Sequence, residues 1–424
     1  MGGSSNRKVG RREFIESAAV ATGLMFIKPG LVRGTAANSA VRLGLLGCGA
    51  RGTTVATSFA ENTNTRVVAL ADLFTDQLEK AKKHFDVLAV KKGHSGVESA
   101  LMFRGPKAYE QLAASKEIDM VLISTPDYFH PEHLEAVVAA GKHIYCEKPA
   151  AVDVLGAKRI LRAGEKAEGR LSLDIGFQLR SAPPFVEMVR RIHAGALGTI
   201  ACASTYYHAG SIKLPPRANA PPLELRIRNW YWDRILTGDI LVDQNIHVID
   251  VCNWVLKSHP LKAVGAGGRK VRNDSGDCWD HFSLVFHYPD DVHVSFDSIQ
   301  YGRHYWDVCE KFFGSRGVSE SHYSGAVAIY GEEPWDWWRD NASQPLAPGA
   351  RRSALEHADA EKDKAFIESI ASGKFHNQAA AGVESALSAI LGREAAYSGR
   401  EITWDELLKS DLTYDAGFAL EKLA

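Results

Sequence analysis

Val41-Arg42-Leu43-Gly44-Leu45-Leu46-Gly47-Cys48-Gly49-Ala50-Arg51-Gly52 is the stretch from which the fold is read. A short apolar run of strand character enters Gly47-x-Gly49-x-x-Gly52, and Thr53 to Glu61 follows as a helix, with Val55 and Phe59 four apart. Each glycine has its own task. Gly47 makes a tight turn, Gly49 lets a pyrophosphate approach the backbone, and Gly52 lets helix and strand pack closely. The helix N-terminus, at Ala50 and Arg51, then offers free N–H groups to the phosphates. A second strand, Arg66 to Ala71, ends in Asp72, about 20 residues beyond the turn. A carboxylate there accepts both ribose hydroxyls of an adenosine and repels a 2′-phosphate. It is followed by Leu73-Phe74, with no Arg or Lys beside it, so NAD is expected in preference to NADP.

Outward from this turn, residues 74–85 read as a helix and residues 118–123 as a buried strand ending at Ser124-Thr125-Pro126. His130-Pro131 opens a helix that Gly141 stops, and residues 142–146 form a further strand that delivers Glu147-Lys148-Pro149. Strands alternating with helices predict an α/β Rossmann domain, a doubly wound parallel sheet, over residues 39–165. Ligands bind such sheets at the carboxyl ends of the strands, so Ser124, Thr125, Pro126, Glu147 and Lys148 are expected to face the cofactor crevice, with His130 beside them. After the helix 155–168 the pattern changes to period two. Phe282, Leu284 and Phe286 alternate with polar neighbours, Tyr288-Pro289-Asp290-Asp291 turns, and Val292, Val294 and Phe296 alternate on the far side. These predict an α+β domain with an open, mostly antiparallel sheet over residues 172–354, and a helical segment, 355–424, packing back.

Composition is that of an ordinary soluble protein: 424 residues, 45% hydrophobic, 24% charged, with 50 Lys and Arg against 51 Asp and Glu. That balance gives no electrostatic reason to expect a nucleic-acid partner. The six cysteines show no Cys-x-x-Cys or finger spacing, and Cys48 and Cys146, in apolar surroundings, read as buried reduced thiols. Residues 1–38 are separate in character. Arg11-Arg12-Glu13-Phe14-Ile15 and the mildly apolar run to Ile27, closed by Lys28-Pro29-Gly30, form a twin-arginine export pattern, so a periplasmic or secreted location is expected, with a cytoplasmic one as the alternative. The run is shorter than the roughly 20 residues that span a bilayer, so no membrane anchor is expected.

Two aromatic and charged clusters, residues 228–234 and 334–340, have two readings. Indole faces stack on sugar C–H faces, which makes them candidate substrate walls; Trp and Arg are equally at home in cores and interfaces. In Asp243-Gln-Asn-Ile-His247-Val-Ile-Asp250 the spacing of four and three predicts one helix face on which a carboxylate orients an imidazole and holds it near a neutral pKa. His247 would then be the general base of an alcohol oxidation, with the Lys148 ammonium stabilising alkoxide character. No metal is expected, because these residues lack a metal-ligand spacing.

The glycine turn with Arg51, Ser-Thr-Pro-Asp-Tyr-Phe-His at 124–130, Gly-Lys-His-Ile-Tyr-Cys-Glu-Lys-Pro at 141–149, Asp243-x-x-x-His247 and the run at 392–405 together resemble the glucose–fructose oxidoreductase, inositol dehydrogenase and rhizopine catabolism (Gfo/Idh/MocA) family. The resemblance implies a second domain that mediates homo-oligomers, dimers or tetramers. It also implies Lys148, Asp243 and His247 as the catalytic set, Glu147 on the nicotinamide side, and Gln178 near the nicotinamide pocket. One departure, Thr237-Gly238-Asp239 and Asn245 where many relatives carry glycines, bears on the shape of the substrate pocket. The expected function is NAD-dependent oxidation of a secondary hydroxyl of a sugar, polyol or glycoside, with tightly held, recycled NAD. The alternative is a glycoside hydrolase that oxidises transiently and cleaves by elimination.

Overall fold

The computed structural model describes residues 40–212, 220–341 and 352–423, and Val41–Ala424 form one packed unit. The leader and its twin arginine lie outside the described residues.

Sheet A is built from β1 (Val41–Leu46), β2 (Thr65–Asp72), β3 (Met102–Arg104), β4 (Met120–Ile123), β5 (His143–Cys146) and β6 (Leu173–Ile175). Its order is β3-β2-β1-β4-β5-β6, and every pairing is parallel. This is the Rossmann order, with the reversal of strand order between β1 and β4. The central strands are apolar on both faces because helices cover both. Leu43, Leu45, Leu70, Leu122 and Ile123 are fully buried. The expected helices are present as Ala50–Asn62, Thr75–Lys91, His130–Ala139 and Val154–Ala167.

Sheet B contains β7 (Ile200–Ala209), β8 (Lys262–Gly268), β9 (His281–His287), β10 (His293–Gln300), β11 (Asp307–Gly314), β12 (Gly317–His322), β13 (Val327–Gly331), β14 (Trp335–Asp336) and β15 (Ile402–Thr403). Its order is β14-β13-β12-β11-β7-β10-β9-β8-β15. All pairs are antiparallel except β7 with β10. The period-two reading holds residue by residue: Phe282, Leu284, Phe286, Val294 and Phe296 are all buried.

The helix Ala379–Ser398 joins the two sheets, and its small residues let it come close to both. A methyl group at Gly382 would lie 2.6 Å from Ile175 at the end of β6, and one at Gly392 would lie 2.6 Å from Phe286 of β9. The C-terminal segment therefore touches sheet A and sheet B at once, and β15 pairs with β8. All six cysteines are free thiols, with Cys48 and Cys146 buried as read from the sequence. Among the described residues no helix is long and apolar enough to cross a membrane.

Candidate active site

Gly47 has a φ of +93°, and a Cβ on it would stand 2.4 Å from the Ser124 carbonyl oxygen, so this turn admits only glycine. A Cβ on Gly52 would stand 2.1 Å from the carbonyl of Gly47. A Cβ on Gly49, by contrast, would meet nothing within 4 Å, and Gly49 precedes the helix Ala50–Asn62 without any side-chain cap. Uncapped N–H groups facing open space fit a pyrophosphate. The opening belongs to a cleft of about 890 Å³, mouth included, walled by Gly47, Gly49, Asp72, Ser124, Thr125 and Pro126. It lies at the carboxyl ends of β1, β2 and β4, where the sheet order reverses.

Asp72 accepts hydrogen bonds from the N–H of Cys48 at 2.7 Å and of Phe74 at 2.9 Å, one on each oxygen. Each oxygen keeps a lone pair for a ribose hydroxyl. Burial pushes this carboxyl up to about 6, against the opposing pull of those two N–H groups. Only the ionised form accepts from both hydroxyls. Dinucleotide affinity should therefore be full above about pH 6 and weaken by about tenfold per pH unit below it, as the free protein takes up the proton that binding must expel. Titration calorimetry at pH 5, 6 and 7.5 checks this, and Asp72→Asn should flatten the profile.

The expectation that no cation stands near Asp72 needs correction. The chain brings Arg228 from 156 positions away, since 228 − 72 = 156, onto the wall of the same cleft. Its guanidinium lies 3.7 Å over the Phe74 ring, donates to Asp76 at 2.6 and 3.1 Å, and donates to Glu224 at 2.6 Å. A 2′-phosphate there meets one guanidinium already shared by two carboxylates, with Asp72 as a third. NAD should accordingly outbind NADP in the native protein. Asp72→Ser combined with Asp76→Asn should release Arg228 and narrow or reverse the preference, measured as the ratio of the two dissociation constants.

The second half of the site was expected on one helix face, and here the structure differs. The helix ends at Asp243 (Ile240–Asp243), and a new one begins at Ile246 (Ile246–Leu256). The reason is Lys148. Its ammonium donates to the Asp243 backbone carbonyl, the oxygen that an unbroken helix would offer to the N–H four residues on, and lies 3.3 Å from Asp243 Oδ1. Among the described residues neither Asp243 nor Asp250 hydrogen-bonds His247. Asp250 instead accepts from Arg180 at 2.9–3.2 Å and from Ser385 at 2.7 Å. The His247 ring is held edge-on by Phe177 and Tyr323, each with centroids 6.3 Å away, and its Nδ1 is buried without a hydrogen bond. Burial, and then the positive charges of Lys148 and Arg51, hold its pKa well below the usual imidazole range. Its neutrality comes from desolvation and not from a carboxylate partner.

Two residues given no individual role in the sequence reading join this cluster. Asp127, in the quoted Ser-Thr-Pro-Asp run, is 2% exposed with Oδ2 unpartnered. Burial first, and then the charge of Asp243, push its pKa well above that of an ordinary aspartate. The Tyr231 phenol lies close enough to feel Asp243 and Asp127, and burial is the largest cause of its raised pKa. Tyr231 stacks on Trp230 at 3.9 Å, and Trp230 lines the cleft. The aromatic cluster at 228–234 thus belongs to the site. Trp335, 3% exposed and under Arg191 at 5.1 Å, belongs to the core of sheet B.

The remaining expected residues fall in different places. His130 is not on the cleft wall: it is fully buried, with Nδ1 2.7 Å from the Pro149 carbonyl and Nε2 2.9 Å from that of Thr125. It ties the β4 and β5 ends together and has no face left for a cofactor. Arg51 and Glu147 form an ion pair at 2.9 Å that links the glycine turn to the end of β5. Gln178 begins the short turn 178–181, which Arg180 anchors to Asp250. Asp239 sits at φ +75°, ψ 170°, a conformation that favours glycine. The strain, about 1–3 kcal/mol, is offset by bonds from Ile240 N–H at 2.6 Å, Trp279 N–H at 3.1 Å and the Tyr397 hydroxyl at 2.6 Å. The turn carrying Asp243 is fixed by those bonds.

The strand order of sheet A and the fit of its glycine turn to a pyrophosphate define a class, the dinucleotide-binding Rossmann proteins. Residues 41–175 match the oxidoreductase family, NAD-binding Rossmann fold (GFO/IDH/MocA), and residues 185–320 match the GFO/IDH/MocA C-terminal domain. The chain belongs to this family. It is 25% identical over 304 residues, 70% of this chain and 75% of the relative, to inositol 2-dehydrogenase of Acidothermus cellulolyticus. Similar folds are those of aldose-aldose oxidoreductase from Caulobacter crescentus, complexed with glycerol (TM-score 0.65, 20% identity, 86% of this chain and 99% of that one), and of levoglucosan dehydrogenase in complex with NADH and levoglucosan (TM-score 0.67, 17% identity, the same coverage).

Proposed function

We propose that the protein is an NAD-dependent oxidoreductase acting on a secondary hydroxyl of a sugar, polyol or glycoside. The observation that carries this reading is the pairing of an ammonium, Lys148, with a buried uncharged imidazole, His247, beside the dinucleotide cleft. Bound nicotinamide supplies the hydride acceptor. Lys148 donates to the substrate oxygen that gains negative charge, and Asp243 and its own carbonyl hold that ammonium in place. His247, with no hydrogen bond among the described residues, keeps a lone pair for the hydroxyl proton. The related proteins named above act on inositol, aldoses and levoglucosan, which supports a polyhydroxylated substrate. The glycoside hydrolase alternative gains no support from them. The test incubates purified protein with a panel of polyols, sugars and glycosides, following nicotinamide absorbance and product mass together. Cleavage of a glycoside without any oxidised product would overturn the reading.

The same proposal extends to location and assembly. Twin-arginine export moves folded proteins, so the enzyme would load NAD in the cytoplasm and carry it out. Changing Arg11 and Arg12 to Lys should retain the protein in the cytoplasm, as read by fractionation; undiminished periplasmic protein would sink the export reading. Homo-oligomerisation through the open face of sheet B is supported by Phe313 and Tyr330, 36% and 50% exposed there, and light scattering measures it.

A further inference from the structure

Sheet B carries a second polar cluster on the face turned away from His247, the same open face that bears Phe313 and Tyr330. Cys309 of β11 pairs with His322 of β12 and with Tyr206 of β7, and Lys311 pairs with Glu320. Because side chains alternate along a strand, Asp307, Cys309, Glu320, His322 and Tyr206 share one face. Tyr323, next in the chain, turns the other way, to His247. Cys309 Sγ, a carboxylate oxygen of Glu320 and Nε2 of His322 all lie within 4.8 Å of one another.

The contacts around the imidazole are unusual. Its Nδ1 is 2.9 Å from Asp307 Oδ1, and its Nε2 is 2.8 Å from Glu320 Oε1 and 3.6 Å from Cys309 Sγ. A neutral ring has one N–H for two carboxylates, and in the tautomer with its proton on Nδ1 that N–H goes to Asp307. The other nitrogen then aims a lone pair at a carboxylate and a sulfur, an arrangement that needs a cation at its centre, either a proton or a metal ion. The same Glu320 oxygen also accepts from the Lys311 ammonium at 3.0 Å, a contact that a metal ion would have to share or displace.

We infer that Cys309, His322 and Glu320 bind a divalent metal ion, zinc by donor type. A tetrahedral zinc with bonds of about 2.3 Å to sulfur and about 2.0–2.1 Å to nitrogen sets those two atoms about 3.6 Å apart. Cys309 and His322 stand at that separation already. Glu320, half-buried, needs to withdraw by about 0.6 Å to reach a ligand position. Asp307 supplies what a ligand histidine ordinarily has behind it, a carboxylate on the far ring nitrogen, and the Tyr206 hydroxyl fixes that carboxylate by donating to its other oxygen at 2.8 Å. On binding, the Cys309 thiol gives up its proton to solvent and a thiolate–zinc bond forms, with no change of oxidation state. Water completes the coordination. The ion staples β11 to β12 and leaves the Lys148 site untouched.

The test uses full-length protein dialysed first against zinc and then against metal-free buffer. Elemental analysis is expected to give one zinc per chain, and cobalt substitution to give a thiolate-to-cobalt charge-transfer band. Cys309→Ser and His322→Gln should each lose the ion, and Asp307→Asn should weaken binding by about 10–100-fold. No zinc per chain and no thiolate band in the cobalt-treated native protein would overturn the site, assigning the ring as an imidazolium between two carboxylates. Full zinc in the Cys309→Ser, His322→Gln double variant would overturn it as well, by placing the ion elsewhere. The native-protein measurements stand even where a variant fails to fold.

Discussion

His247→Asn is expected to lower turnover by about 10²–10⁴-fold while leaving NAD affinity nearly unchanged. The ring is buried against Phe177 and Tyr323, makes no hydrogen bond among the described residues, and is kept uncharged by its surroundings. Its loss therefore removes a proton acceptor and little else. Lys148→Ala should cost about 10²–10³-fold for the oxygen it no longer stabilises, and it also frees the Asp243 carbonyl. Steady-state kcat together with calorimetric NAD binding separates the two. If His247→Asn turned over like the native enzyme, the proton would have to leave by another group, and Asp127 would be the first to examine.

NAD should copurify with the protein and leave slowly. An exported enzyme that must keep its cofactor for an hour needs an off-rate of about 10⁻⁴ per second, and with an on-rate of roughly 10⁶ per molar per second the dissociation constant is about 0.1 nM. This is about 14 kcal/mol, below the ceiling for non-covalent binding. The fold contains a means of slowing release. Residues 412–423 reach the cleft: Tyr414 N–H donates to Asp153 at 2.7 Å, Arg226 donates to the Ala416 carbonyl at 2.7 Å, Phe418 stacks on the cleft residue Phe129 with centroids 6.2 Å apart, and Leu420 forms part of the cleft wall. A chain ending after Thr413 loses the apolar cover of Phe418 and Leu420. At about 1.5–3 kcal/mol for a fully buried side chain, discounted because both are half-exposed, release should quicken by about 10–100-fold. Nicotinamide quantified after denaturation, and a stopped-flow chase, provide the readouts. Protein isolated empty, active only with added NAD, would remove the retention hypothesis.

Much of this protein was legible in one pass along the chain, and the reason is local. The glycine turn, the strand ending in Asp72 and the Glu147-Lys148-Pro149 terminus of β5 are set by backbone sterics and by period-two or period-3.6 patterns, which neighbours in sequence decide. So were the Rossmann sheet and the alternating strands β9 and β10. What the sequence by itself could not decide is which groups face one another across long separations. The 243–250 segment reads as one helix because its spacing is helical, and it breaks because an ammonium from position 148 takes one of its carbonyls. Arg228 comes to Asp72, burial beside Asp243 raises the pKa of Asp127, and His130 turns from the cofactor to two carbonyls. Each outcome depends on burial and on charges contributed by distant residues. Periodicity sets where a side chain points along its own element; only packing sets what it meets there.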